Sequence, residues 1–124
     1  MSFSYITMAF SAAILVILGM VYSFFPQEIL SELVQEPTPI LVLVLQLLGA
    51  VYIGFGVMNW MLKNIKIGGI YARPLTLGNF AHFFIGGLSI VRLVIEEEAS
   101  SFYVFIFLVI YVVFAGMFAR LIFS

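Results

Sequence analysis

Four apolar runs divide this chain, and they leave little choice of fold. They cover residues 5–25, 39–62, 75–95 and 102–123. Each supplies roughly the 20 residues, at ~1.5 Å of rise apiece, that an α-helix needs to cross ~30 Å of hydrocarbon. With 65% of its residues hydrophobic and 9% charged, the chain lacks the polar surface to coat a water-soluble globule; about 25% charged is ordinary there. The runs therefore predict an all-α integral membrane protein, one domain over residues 1–124. The joints between them are short, which favours an antiparallel four-helix bundle. Prolines mark the edges: Pro26 ends the first run, Pro37 and Pro39 introduce the second, and Arg73-Pro74 introduces the third. At a helix edge the missing N–H of proline is tolerated.

The first run reads as a retained span. No Lys or Arg precedes Lys63, so it lacks the positive region of a leader, and no small-residue cleavage site follows it. The charges then set an orientation. Lys63, Lys66 and Arg73 share the joint between runs two and three, and Arg120 lies near the C-terminal end. Basic joints stay on the cytoplasmic side, which puts both termini there too. The expected location is a bacterial inner membrane. The outer joints hold all six acids: Glu28, Glu32 and Glu36 in one, Glu96, Glu97 and Glu98 in the other. In the first of these, "QEILSELVQE" groups Ile29, Leu30, Leu33 and Val34 away from its acids. That is the pattern of a short amphipathic helix on the membrane surface. A solvated connector with helical bias would read the same way.

Polar groups inside the runs carry what functional information there is. Residues three, four and seven apart share a helix face. On run three that face holds Leu75, Asn79, His82, Gly86, Ser89 and Leu93. On run two it holds Gln46, Gly49, Ile53, Gly56 and Trp60, with Tyr52 and Asn59 beside it. Runs two and three are expected to be neighbours. Asn59 and Trp60 would then meet Asn79 and His82 towards the cytoplasm, and Gln46 would lie level with Ser89 and Arg92 near the outer side. Two readings follow. In the structural one, the amides and Ser89 bond between helices at ~0.6 kcal/mol each, and His82 is a neutral imidazole donating to a carbonyl or amide. Arg92 then snorkels to the interface with Glu96 one turn on. In the functional one, Asn59, Trp60, Asn79, His82, Gln46, Ser89 and Arg92 line a site for an apolar ligand between spans two and three.

Several chemistries are excluded. One His and no Cys cannot build a metal cage. No carboxylate lies within a run, where a proton- or cation-coupled transporter usually places one. A Ser-His nucleophile has no acid to orient His82. "GGIYARPLTLGN" lacks the Gly-x4-Gly-Lys spacing of a phosphate loop, and Gly68-Gly69 more simply supplies a turn. No basic cluster suggests a nucleic-acid partner.

The stretches "LQLLGAVYIGFGVMNWM" and "GGIYARPLTLGNFAHFFIGGLSIVR", followed by an apolar last run, resemble small bacterial four-span proteins related to the DoxX-like group. The local signals are Arg73-Pro74, Leu77-Gly78-Asn79, and Gly87-Leu88 followed by Arg92. The resemblance implies a membrane protein, with some members tied to oxidoreductase or quinone-linked systems. Some relatives carry an acid in the last span, where this chain reads "LVIYVVF" around Tyr111.

Three functions remain as expectations. The first is a non-catalytic accessory or oligomer-forming subunit of a membrane assembly. The second is a binder or carrier of a lipid, quinone or isoprenoid. The third is a DoxX-like oxidoreductase component, which would need a bound cofactor. The residues themselves indicate no catalysis and no cofactor, leaving lipid or quinone as the candidate ligands. The expected partners are membrane lipids, further copies of the chain, or a larger complex.

Overall fold

The computed structural model describes residues 2–65, 72–96 and 102–123, and its elements there are all helices. They are α1 (Phe3–Phe24), α2 (Pro26–Leu33), α3 (Pro39–Met61), α4 (Ala72–Glu96) and α5 (Phe102–Phe123). All but α2 are long and apolar enough to cross a membrane. Lys66, Gly68, Gly69, Tyr71, Glu97 and Glu98, which figure in the sequence reading, lie outside the described residues.

Local chemistry sets the helix ends. Ser2 caps α1, its hydroxyl accepting from the Tyr5 N–H at 3.2 Å. Thr38 does the same for Leu41 at 3.2 Å, with Pro39 opening the first turn of α3. These caps satisfy amides that have no partner within the helix. At the end of α1, the Phe25 N–H still reaches the Val21 carbonyl at 2.8 Å before Pro26 starts α2. Helix α4 begins at Ala72, three residues before the expected start at Leu75. Pro74 is no obstacle there, because first-turn amides lack helical acceptors in any case. Helix α2 covers only part of the segment read as helical. It stops at Leu33, and Val34 is extended (φ −133°, ψ 152°). Leu30 is buried, Ile29 is half-buried, and Glu28 and Glu32 are exposed.

Contacts gather the chain into two compact units, Met1–Asn64 and Ile65–Ser124. In the first unit α1 packs along α3 with the backbones nearly touching. A Cβ placed on Gly19 would lie 2.7 Å from the Gly49 carbonyl oxygen and 2.6 Å from Ile53 Cγ1. One placed on Gly56 would lie 3.0 Å from the Ala12 carbonyl oxygen and 2.5 Å from Val16 Cγ2. Later residues of α3 thus meet earlier residues of α1. Such closeness maximises van der Waals contact, the main attraction between helices that lipid surrounds. The Tyr22 and Tyr52 rings extend this seam, with centroids 5.7 Å apart.

The second unit is held by rings. Phe83 of α4 is fully buried. Its centroid lies 5.2 Å from those of Tyr111 and Phe114 on α5. The Phe118 ring stacks on it at 5.9 Å, with 11° between the planes. All fall within the ~4.5–7 Å range in which aromatic pairs attract.

Candidate functional site

Each helix pair has its own polar centre. In the first unit, Asn59 of α3 and Ser11 of α1 are both wholly buried. The Asn59 amide donates to the Ser11 hydroxyl at 3.0 Å. That hydroxyl in turn donates to the Met8 carbonyl at 3.0 Å. Ser11 is therefore a relay between the α3 side chain and the α1 backbone. Nearer the other end of α3, the exposed Gln46 amide donates to the Ser23 carbonyl of α1 at 3.4 Å.

In the second unit, His82 and Tyr111 form the centre. The His82 Nε2 and Tyr111 Oη atoms lie 3.0 Å apart, with donor and acceptor set by the imidazole tautomer. Gly86 allows this contact. A Cβ there would lie 2.5 Å from Tyr111 Cε2, so only glycine lets the ring lie across α4. His82 sits one turn earlier on the same face, where the phenol reaches it. The Phe83 and His82 rings meet in a T-shaped arrangement, with centroids 4.9 Å apart and planes at 71°. Asn79, buried one turn before Phe83, donates to the Leu75 carbonyl at 2.9 Å.

The remaining expected site residues sit elsewhere. The Ser89 hydroxyl donates to the Ile85 carbonyl of its own helix at 3.1 Å, on an exposed face. Arg92 Nε donates to Glu96 at 3.0 Å, both side chains being exposed. Trp60 is about half exposed. The Lys63 ammonium lies 4.0 Å above the centre of its ring. Within their own units, then, Asn59 is joined to Ser11, Gln46 to Ser23, and His82 to Tyr111.

The sequence does not single out Ser11 or Ser23 as partners, and it marks Tyr111 only as the centre of "LVIYVVF" in the last run. The available signal was spacing. Ser11, Ala12, Gly19 and Ser23 form a small-residue edge on α1. Such edges mark close helix approach in membranes.

Chemically, the Ser11–Asn59 pair is an interhelical tie. The His82–Tyr111 pair is an imidazole–phenol contact in an aromatic surround, able to hold or pass a proton. Among the described residues, no group of three or more His, Cys, Asp or Glu side chains is placed to hold a metal ion. Compared with known protein families, curated proteins and solved structures, the chain matches none.

Proposed function

We propose that this chain is a four-span integral membrane protein acting as a non-catalytic accessory or oligomer-forming subunit of a membrane assembly. Its spans form an antiparallel bundle with both termini cytoplasmic, and α2 lies on the outer surface. The carrying observation is that polar side chains of the long helices bond within each helix pair, as in Ser11–Asn59 and His82–Tyr111. Bonds of this kind fix helix pairing. They supply a rigid scaffold whose apolar outer faces meet lipid or another membrane chain. Leu47 and Val51 on α3, Ile85 and Leu88 on α4, and Val109 and Val112 on α5 are exposed in this way.

A second reading, binding of a quinone or isoprenoid, draws on one observation. His82 is half-buried rather than enclosed, so an edge of the His82–Tyr111 pair remains accessible. Purification in a mild detergent separates the two. A partner at fixed stoichiometry, or a defined oligomer, supports the subunit. A monomer carrying stoichiometric quinone or isoprenoid, extractable by solvent, overturns it in favour of the second reading. Visible absorbance from a bound cofactor would point instead to a DoxX-like redox role.

A further inference from the structure

Beside the Gly56 contact between α1 and α3, an open apolar furrow of about 370 Å³ remains. That is within the ~300–1,000 Å³ usual for ligand pockets. It is lined by the small residues Ala12, Ala13 and Gly56 and by larger ones, among them Ile17, Val57 and Trp60. From Ala12 to Ile17 it spans about one and a half turns of α1, ~7.5 Å of rise. It therefore fits part of an acyl chain rather than a whole one.

The furrow is apolar, but its Trp60 side carries a cation. Lys63 Nζ sits 4.0 Å above the Trp60 ring centre and donates to the Trp60 carbonyl at 3.3 Å, beside the end of α3. Both contacts hold the ammonium in one place. An ammonium has three donors, and this bond uses one. Tryptophan prefers the headgroup level of a bilayer, and lysine extends towards water there. A fixed cation thus stands above an apolar furrow. Its complement carries an anionic oxygen above a hydrocarbon tail. A neutral isoprenoid supplies only the tail, and inorganic phosphate only the anion.

We propose that the α1–α3 furrow seats an anionic phospholipid, with its phosphate on Lys63 and the upper part of one acyl chain against Trp60, Val57 and Ala13. The site rests on the membrane reading above, though not on the subunit role. It would hold a lipid at a defined position on the chain and favour membranes rich in that lipid.

Trp60 is the only tryptophan in the chain, so its fluorescence reports on this site alone. The test uses the full chain in phosphatidylcholine vesicles containing increasing fractions of phosphatidylglycerol. Either lipid in turn carries acyl chains brominated near the glycerol, which quench a touching indole. Phosphatidylglycerol should quench at lower fractions than phosphatidylcholine. Lys63→Gln should reduce that preference about five-fold, the factor that one lysine near an anionic surface supplies. Ala13→Phe, at an exposed position, fills the furrow and should reduce quenching while helicity stays unchanged. Arg73→Gln should leave the preference within about two-fold of the parent.

Equal quenching by the two lipids in the parent chain would overturn the site. So would a preference that survives both Lys63→Gln and Ala13→Phe. Equal losses from Lys63→Gln and Arg73→Gln would replace the site with diffuse surface attraction. Quenching by neither lipid, in a chain that resists alkaline carbonate extraction, would place a second protein copy in the furrow and also refute the proposal. Release of the chain by carbonate would instead overturn the membrane reading itself.

Discussion

Gly86 acts at a distance of one helical turn. By lacking a Cβ it admits the Tyr111 ring, and the ring delivers its hydroxyl to His82. Gly86→Ala should push the ring away and break that bond, costing ~1–3 kcal/mol as overpacking does. Tyr111→Phe keeps the ring and removes only the hydroxyl, so it should cost less, ~0.6 kcal/mol and at most ~1.7. The two changes should not add. Once Gly86→Ala has broken the bond, removing the hydroxyl has little further effect. Unfolding of the purified chain in a denaturing detergent titration measures all three variants, and the coupling term follows from the cycle. Strict additivity would mean that the His82–Tyr111 bond survives Gly86→Ala. Half of this arrangement was legible in the sequence. Helical spacing puts His82 and Gly86 on one face, because that relation is local. It cannot name the helix that the face meets, so Tyr111 had no reason to stand out as its partner. Asn59 poses the same problem: Ser11 is 48 residues away. The Arg92–Glu96 pair, one turn apart on one helix, needed no tertiary knowledge.

At the scale of elements, the α1–α3 pair depends on a backbone seam. A Cβ at Gly49 would lie 2.8 Å from the Gly19 carbonyl oxygen and 2.6 Å from Ser23 Oγ. Backbone cannot give way as a flexible side chain can, so the helices must separate. Gly19→Ala and Gly49→Ala should each destabilise the chain by ~1–3 kcal/mol. Gly54 on the same helix has open space where its Cβ would be. Gly54→Ala should be neutral or stabilise by up to ~1 kcal/mol, since alanine is the better helix former. Detergent-titration midpoints of the three variants check this, and equal effects would mean that the seam does not bear on stability. The sequence disclosed the long helices because their runs are long and mainly apolar, and each observed boundary falls within three residues of the expected one. It placed the start of α4 at Leu75, just after Arg73-Pro74, although the first helical turn takes in both residues. It overran α2, since the pattern of Glu28, Glu32 and Glu36 continues past the point where Val34 becomes extended. Side-chain periodicity alone does not register that backbone change.

For the whole molecule, the question that governs the others is which way the proposed bundle crosses the bilayer. Lys63, Lys66, Arg73 and Arg120 fall on one side in the four-span arrangement, and Arg92 on the other. Arg92 is engaged by Glu96 one turn later, which offsets its charge. Basic residues close to span ends resist transfer across the membrane, while acids weigh little. The excess should therefore hold the α3–α4 joint in the cytoplasm. The chain contains no cysteine, so a single introduced thiol is an unambiguous reporter. Glu36 and Asn64 are both exposed and flank α3 at opposite ends. In intact cells, a membrane-impermeant maleimide should label Glu36→Cys and should reach Asn64→Cys only after permeabilisation. The reverse pattern would invert the orientation and carry the Lys63–Trp60 furrow to the outer leaflet. Labelling of both without permeabilisation would mean that the chain inserts both ways, and that a bias of so few charges is too small to choose. Replacing Lys63, Lys66 and Arg73 together with Gln tests the cause directly. If these charges set the orientation, their removal should make Asn64→Cys accessible in intact cells; unchanged labelling would assign the orientation to something other than basic charge.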